Sequence, residues 1–187
     1  MARNHDYLIG LNGGIPWKVP EDRAYFKETT AGGVLVMGRY TWLENKRHLP
    51  HAARTVVLSS DSEFRDRIGS LDRVDTAATL REALEIARPT GTEEEAGKGV
   101  WVVGGEEMYR RSLIDFNDKA REIHLTVLDD GTSGPSAEEM EGAKFPKQEE
   151  WAGSWELRKR WTGERSGEKN RGIKYEFQVW GRSPENR

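Results

Sequence analysis

Short apolar runs, separated by polar or glycine-rich segments, predict most of the strands of this chain. Residues 34–37 (VLVM), 55–58 (TVVL) and 100–103 (VWVV) are apolar and largely β-branched, which is typical of strands that are buried on both faces. The segment 123–127 instead alternates apolar and polar residues, which predicts a strand with one covered face. These four runs predict a sheet.

Two later runs predict an antiparallel hairpin. Apolar residues recur at even spacing in 155–161 and in 175–179, and the polar segment 163–170 joins the two runs. The segments 91–98 and 129–142 are polar as well and rich in Gly or Glu, so we expect all three polar segments to be surface excursions.

Helical periodicity lies between the early strands. Residues 80–87 keep an apolar stripe at i, i+3, i+4 and i+7, and Thr79 with Glu82 predicts a capping box before it. A second helix is predicted over 106–116. The pattern predicts one domain over 1–187 with an α/β fold, in which a mostly parallel central sheet carries helices on both faces and an antiparallel C-terminal edge hairpin.

The segment 10–26 (GLNGGIPWKVPEDRAYF) predicts a loop that runs into a helix. Glycine and proline at this density favour a loop, and Pro20 suits the first turn of the following helix. In that helix Asp22 and Phe26 are four residues apart and share a face with Tyr25. A carboxylate on an aromatic face points to a site, because burying an unpaired charge is costly.

The composition narrows the class of protein. Lys and Arg number 29 against 32 Asp and Glu, and the net charge of −3 argues against nucleic acid as the main partner. The chain has no cysteine, so it has neither disulfides nor thiolate metal sites. No apolar run approaches the ~20 residues of a membrane span. We expect a cytoplasmic protein that binds no membrane, and the spacing of its four histidines does not indicate a metal site.

Three predicted strands end in small or anion-binding residues. Gly104–Gly105 follows the strand 100–103, Gly38–Arg39 follows 34–37, and Ser59–Ser60 follows 55–58. Each pattern also fits an ordinary turn, a helix cap or a solvated charge. Together they predict a ligand site, because open α/β sheets bind ligands outside the carboxyl ends of their strands.

The order and spacing of these motifs resemble the dihydrofolate reductase family over about residues 2–180. The matching pieces are, in chain order, IGxxxxxPWxxPxD from Ile9 to Asp22, Phe26, VMGRxTW at 36–42, LP at 49–50, VLSS at 57–60, VGGxxxY at 103–109, LT at 125–126 and a terminal KYEFQVW strand.

The resemblance implies a reductase that transfers hydride from NADPH to C6 of dihydrofolate, with Asp22 binding the pterin and promoting protonation of N5. Trp17 would anchor the loop 10–19 over the nicotinamide, and Tyr109 would line the nicotinamide site. The implied substrate-binding residues are Ala2, Asp22, Phe26, Leu49, Arg54, Val103 and Thr126. The implied cofactor-binding residues are Ala2, Ile9, Gly10, Gly38, Arg39, Tyr40, Thr41, Leu58, Ser59, Ser60, Gly104, Gly105, Glu106, Glu107 and Met108. A cis peptide is implied between Gly104 and Gly105, and the implied protein is a monomer.

Three departures from the family pattern raise expectations of their own. Only Met1, Ala2 and Arg3 precede Asn4, so we expect the first strand to be missing or truncated and the natural start to lie upstream. Ala53 takes the place of the family's tail-binding arginine, so Arg54 binds the folate tail only if a bulge restores its direction. The turn at 142–146 lacks the acid that would hold the loop 10–19.

Two alternatives to this reading stay open. One is a related reductase of the same fold that acts on another pterin or on a pyrimidine precursor. The other is a non-catalytic remnant that binds NADPH or folate without the first strand.

Overall fold

The computed structural model describes residues 1–45, 49–88, 98–116, 118–129, 142–164 and 173–183. Nearly all of the polar segments 91–98, 129–142 and 163–170 lies outside these ranges, apart from their first or last residues. The chain forms two compact units: Met1–Asp22 with Arg110–Arg187, and Arg23–Tyr109. The expectation of a single domain stays a prediction.

The second unit, Arg23–Tyr109, contains a four-stranded parallel sheet. Its strands are β3 (Val34–Gly38), β4 (Arg54–Leu58), β5 (Val74–Ala77) and β6 (Val100–Val102), in the order β5-β4-β3-β6. Three helices lie between them along the chain, namely α2 (Arg39–Asn45), α3 (Ser62–Gly69) and α4 (Leu80–Ile86). The predicted parallel strands are confirmed, and β5 and α3 are additional.

Both faces of this sheet are covered. On one face Leu35, Met37 and Val57 pack with Trp42 of α2 and Phe64 of α3. The alternate residues Val34, Val36 and Val56 are buried as well. Strands that are apolar at every position therefore lie where the uninterrupted runs predict them.

Local signals fix the helix ends in this unit. Asp61 caps α3 by accepting the Phe64 N–H at 3.0 Å. Thr79 caps α4 by accepting the Glu82 N–H at 3.2 Å. The Glu82 carboxylate accepts the Ala78 N–H at 2.8 Å, one residue before the cap, so the predicted capping box is displaced by one residue.

The first unit contains two sheets. Strands β1 (Ala2–Asn4), β7 (Glu122–Asp129), β9 (Trp155–Glu164) and β10 (Lys174–Arg182) follow the order β1-β7-β10-β9, and β2 (Leu8–Leu11) pairs with β8 (Gly142–Lys144). The pairs β10–β9 and β10–β7 are antiparallel, which confirms the predicted hairpin. A short helix α6 (Gln148–Trp151) and a 3₁₀ turn (Ala152–Ser154) precede β9.

Two helices contain the boundaries between the units. Helix α1 (Pro20–Thr29) begins at Pro20, as predicted, and α5 (Glu106–Ile114) follows Gly104–Gly105. The described strands thus belong to two four-stranded sheets and a two-stranded one, where the sequence pattern predicted one central sheet. Parallel strands, intervening helices and an antiparallel hairpin nevertheless confirm the predicted fold class.

The expectation that the first strand is missing is wrong, because a short first strand is present. Ala2–Asn4 form a three-residue strand, and Ala2 pairs in parallel with Thr126 of β7. The backbone groups of this segment bond to β7 although its side chains include Arg3 and Asn4, so a strand exists without the expected apolar pattern.

Candidate active site

Asp22 lies in the first turn of α1, two residues after Pro20, and is half-buried. Burial lowers the pKa of the Met1 α-amino group, and the Asp22 carboxylate opposes that shift, so this carboxylate lies near the start of β1. The Met1 α-amino group donates to the His124 carbonyl at 3.1 Å. The acid therefore lies near the edge at which β1 meets β7.

Thr126 lies on the same edge and is fully buried. Its N–H donates to the Met1 carbonyl at 2.7 Å, and Ala2 is its strand partner. The Thr126 hydroxyl oxygen is among the buried polar atoms that have no hydrogen-bond partner in the described part of the chain. A buried hydroxyl of this kind fits a polar ligand, because leaving it unpaired costs free energy.

The loop before α1 is anchored by Trp17. Its side chain is 9% exposed and packs in a core cluster with Leu8, Val19 and Leu128. The residues 11–14 form a tight turn, in which Leu11 and Gly14 exchange backbone hydrogen bonds of 2.8 and 3.1 Å. Trp17 is therefore a buried point of this loop, whereas the two central residues of the turn and the segment 15–16 are exposed.

The preceding strand β2 carries Ile9 and Gly10. Ile9 is buried, and Gly10 pairs with Ala143 of β8 across a register shift. Phe145 is buried beside β8 and donates its N–H to the Tyr7 carbonyl at 2.8 Å. The segment 142–146, where the family pattern has an acidic turn, therefore holds β2 through backbone hydrogen bonds.

In the second unit, Phe26, Leu49 and Val103 are partly buried against the core that Trp42 and Phe64 form with β3 and β4. The His51 ring meets the Phe26 ring edge-on, with 5.4 Å between centroids. Thr30 donates its hydroxyl proton to the Phe26 carbonyl at 2.8 Å, and Thr30 Oγ1 also shares a hydrogen bond of 3.0 Å with His51 Nε2. His51 was not among the predicted site residues.

The predicted substrate-binding role of Arg54 is not supported by its contacts. Its Nη1 donates to Asp75 Oδ2 at 2.9 Å, and its Nη2 donates to the carbonyls of Ile86 and Arg88 at 2.8 and 2.9 Å. Arg54 is the first residue of β4 and pairs with Val34, with no bulge in the β3–β4 register. The side chain therefore points to β5 and the end of α4, as the one-residue shift predicts.

Glycines line the carboxyl ends of β3 and β6. Gly38 donates its N–H to the Gly104 carbonyl at 2.8 Å, and the Gly104–Gly105 peptide is cis, as the resemblance implied. A Cβ on Gly104 would lie 3.2 Å from Tyr109 Oη, and one on Gly105 would lie 3.5 Å from Thr41 Oγ1. Absent side chains thus leave backbone accessible beside a tyrosine and a threonine, which fits close approach of a dinucleotide.

The remaining cofactor residues differ in exposure. Met108 is buried, and its Cγ would lie 3.4 Å from a Cβ on Gly38. Tyr40 is 83% exposed, Leu58 is half-buried, and Ser60 is exposed. Glu106 and Glu107 are exposed in the first turn of α5. These carboxylates suit the helix dipole and would repel a phosphate placed at the same helix end.

Arg39 is the first residue of α2 and forms an ion pair with Asp61. Its Nη1 lies 2.6 Å from Asp61 Oδ2, and its guanidinium stacks 4.6 Å above the Phe64 ring. The Phe64 N–H, followed by Arg39, holds the pKa of Asp61 below its usual value. Ser59 is buried next to this pair, and its Oγ accepts the Asp61 N–H at 3.2 Å. Asp61 was missed, although an acid three residues after a strand is a recognisable helix-cap signal.

The described residues contain neither a metal-binding cluster nor a membrane-spanning helix. No group of three or more His, Asp or Glu side chains in that part of the chain is arranged to hold a metal ion. Among its helices, none has the length and apolar character that crossing a membrane requires.

A model of the dihydrofolate reductase family matches residues 1–182. The chain belongs to the dihydrofolate reductase family. A dihydrofolate reductase of Bacillus subtilis is 31% identical over 158 residues, which cover 83% of this chain and 77% of that protein. The family membership confirms the resemblance drawn from the ordered motifs.

Mycobacterial relatives match a shorter stretch. The dihydrofolate reductase of Mycobacterium leprae is 38% identical over 115 residues, covering 60% of this chain and 62% of that protein. That of Mycobacterium tuberculosis strain H37Rv is 39% identical over 109 residues, covering 57% of each. The chain thus spans about three fifths of the length of these relatives.

A solved structure supports the fold. Dihydrofolate reductase from Enterococcus faecalis, complexed with NADP(H) and RAB-propyl, superposes with a TM-score of 0.71 at 21% identity. The superposition covers 97% of this chain and 93% of that one. At this identity the likeness establishes the family fold.

The structure groups the predicted site residues by unit. Ala2, Ile9, Gly10, Trp17, Asp22 and Thr126 belong to the first unit, and the other predicted residues belong to the second. Within the second unit, several predicted residues lie at the carboxyl ends of the parallel strands or within three residues of them, among them Gly38, Arg39, Ser59, Gly104 and Gly105. Thr41 and Tyr109 lie in α2 and α5, the helices that follow β3 and β6. Arg54 lies at the opposite end of β4.

Proposed function

We propose that this chain reduces 7,8-dihydrofolate to 5,6,7,8-tetrahydrofolate with NADPH. The observation that carries the proposal is the place of Asp22, in the first turn of α1 and near the β1–β7 edge, in a chain that the family model matches over 1–182. This is the motif position at which the family pattern requires an acid.

The reaction adds one hydride and one proton to the N5=C6 bond of the pterin. NADPH supplies the hydride to C6 when it is bound, and leaves as NADP⁺. Asp22 binds the amino group and N3 side of the pterin and promotes delivery of the proton to N5. The Thr126 hydroxyl, which has no partner in the described protein, supplies a further hydrogen bond to the bound pterin.

The substrate and cofactor are held by different parts of the chain. Phe26, Leu49 and Val103 contribute apolar surface to the pterin and benzoyl rings, and Ala2 contributes backbone groups. Arg39, Thr41 and Ser59 bind cofactor phosphates, with Tyr40, Leu58 and Ser60 beside them. Ile9, Gly10, Gly38, Gly104, Gly105, Met108 and Tyr109 accommodate the nicotinamide half, and the backbone at Glu106 and Glu107 borders it.

Trp17 orients the loop 10–19, which excludes water from the reacting atoms. Its burial in the core cluster holds one end of the loop, while the turn at residues 11–14, whose two central residues are exposed, is the part that moves over the nicotinamide. The proposal also includes one folded domain, a monomer and a cytoplasmic location. Sedimentation and cell fractionation test the last two.

The test uses the purified full chain with NADPH and dihydrofolate. The near-ultraviolet absorbance of NADPH falls, and tetrahydrofolate forms in equal amount. Oxidised pterins without the benzoylglutamate tail and pyrimidine precursors are run in parallel; turnover of one of these in place of dihydrofolate would contradict the proposal. A rise in melting temperature with NADPH but no turnover would indicate the non-catalytic remnant instead.

A further inference from the structure

An acidic side chain lies among the residues proposed to bind the cofactor phosphates. Asp61 comes directly after Ser59–Ser60 at the carboxyl end of β4. Its carboxylate pairs with Arg39, which follows the carboxyl end of the neighbouring strand β3. The pair therefore lies at the ligand-binding edge of this parallel sheet.

Asp61 is held in place by three contacts. Oδ1 accepts the Phe64 N–H at 3.0 Å, Oδ2 accepts from Arg39 at 2.6 Å, and the Asp61 N–H donates to Ser59 Oγ at 3.2 Å. Arg39 is fixed in turn by the Phe64 ring. The carboxylate is thus a built part of this edge, and its charge acts on any anion that Arg39 and Ser59 bind.

NADPH and NADH differ only at the 2′ oxygen of the adenosine ribose. In dinucleotide sites a carboxylate accepts a hydrogen bond from the free 2′-hydroxyl, whereas an arginine accommodates the 2′-phosphate. This chain carries both groups, and they are paired with each other. We propose that Asp61 is a specificity-determining residue that weakens the preference for NADPH over NADH, because it competes with the 2′-phosphate for Arg39.

The proposal rests on the proposed function and adds the source of cofactor selectivity. Arg65 and Arg67 face the same region: Arg65 Nη1 donates to the Ser59 carbonyl at 2.7 Å, and the Arg67 guanidinium lies 5.6 Å from the Phe64 ring. These cations keep the edge positive, so NADPH still binds. Asp61 reduces the advantage of NADPH over NADH without abolishing it. The Phe64 N–H and Arg39 lower the pKa of the Asp61 carboxyl, so this side chain is ionised at neutral pH.

The experiment measures dissociation constants of NADPH and NADH by fluorescence titration for the wild type, Asp61→Asn and Asp61→Ser. Asn and Ser are both good N-cap residues, so either variant removes the charge and keeps the cap of α3. The dissociation constant of NADPH falls about fivefold in both, which corresponds to ~1 kcal/mol, the interaction of two unit charges about 4 Å apart in water. That of NADH stays the same or rises.

Glu63→Gln is the matched control, because Glu63 is exposed in the first turn of the same helix and the change removes the same charge. Its preference for NADPH, expressed as the dissociation constant of NADH divided by that of NADPH, stays within twofold of the wild type. Titration with 2′,5′-ADP and with 5′-AMP repeats the comparison without a nicotinamide. In the Asp61 variants the dissociation constant of 2′,5′-ADP falls, and that of 5′-AMP stays the same or rises.

The outcomes separate this inference from the proposed function. If the wild type binds NADPH but the preference of the Asp61 variants, expressed as the dissociation constant of NADH divided by that of NADPH, equals that of Glu63→Gln or is lower, the inference alone is overturned. If no variant binds either dinucleotide, the proposed function fails and the inference with it.

Discussion

Arg54 joins β4 to β5 through Asp75, whose Oδ2 lies 2.9 Å from Arg54 Nη1. The Arg54 side chain is only 15% exposed, and its second terminal nitrogen donates to the carbonyls of Ile86, the last residue of α4, and of Arg88. One guanidinium therefore connects two strands and the end of a helix, which assigns it to the stability of the second unit.

Arg54→Ala is expected to lower the free energy of unfolding by ~1.5–3 kcal/mol, because the buried charged hydrogen bonds are lost. The KM for dihydrofolate stays within twofold. Arg88→Ala is the control: its ion pair with Glu85 is exposed on both sides, so the loss is ~0.5 kcal/mol or less. Urea unfolding and steady-state kinetics measure both. A large rise in KM at unchanged stability would assign Arg54 to the substrate.

Thr126→Val is expected to separate stability from substrate binding. The Thr126 hydroxyl has no partner in the described protein, so its removal leaves the free energy of unfolding unchanged or raises it by up to ~1 kcal/mol. The dissociation constant of dihydrofolate rises about three- to tenfold, the equivalent of one hydrogen bond. Thr55→Val, at an equally buried site whose hydroxyl is not unsatisfied, destabilises without this binding effect. Unchanged affinity in Thr126→Val would remove the hydroxyl from the site.

Alanine substitutions at three glycines separate the cost of backbone strain from the cost of a close contact with a neighbouring side chain. Gly153 has a φ that any residue adopts and open space around a Cβ; Gly13 has open space but φ +74; Gly104 has φ +119 and Tyr109 Oη 3.2 Å from a Cβ. Alanine is therefore expected to be neutral at 153, to cost ~1–2 kcal/mol at 13 and to cost more at 104. Melting temperatures test this order, and the change at 104 weakens NADPH binding whereas the change at 153 does not. Equal losses at 13 and 104 would contradict the close approach.

The pH dependence of the melting temperature is expected to show that the ionised Asp61 carboxylate stabilises the fold. Its folded-state pKa lies below the ordinary value of 3.8, mainly because of the Phe64 N–H and then Arg39. An acid whose pKa is lowered by folding contributes its full stabilisation at pH values above its pKa in the unfolded chain. That contribution disappears as the pH falls through its pKa in the folded protein. The difference in melting temperature between the wild type and Asp61→Asn is therefore constant above about pH 5 and shrinks at lower pH. A difference that grows on acidification would contradict this sign.

The sequence pattern predicted the elements whose signals are local. Apolar runs located β3, β4, β6 and the β9–β10 hairpin, and the turn chemistry at Pro20 and Thr79 located two helix starts. Strand β5 (VDTA) and strand β8 (GAK) carry no apolar pattern, since pairing with a distant strand decides them. They could not be predicted from local signals.

The candidate site also contains residues that local sequence signals predict and contacts that depend on distant parts of the chain. Motif order identified Asp22, Trp17 and the glycines, whose place follows from their own elements. The partners of Arg54, Arg39 and His51 depend on register and on neighbours 21 or 22 residues away, so only the structure revealed Asp75, Asp61 and Thr30. Arg3 and Asn4 obscured a strand that backbone pairing nevertheless forms.

The most direct test of the account is the pH profile of turnover of Asp22→Asn with NADPH and dihydrofolate. Removing a proton-transfer group costs about 10²–10⁴-fold, so the turnover number at neutral pH falls by this factor and partly recovers at low pH, where the substrate arrives already protonated. Glu21→Gln, beside it in the first turn of α1, is the control and keeps the wild-type profile. Wild-type turnover in Asp22→Asn at neutral pH, or an equal loss in both variants, would contradict the account.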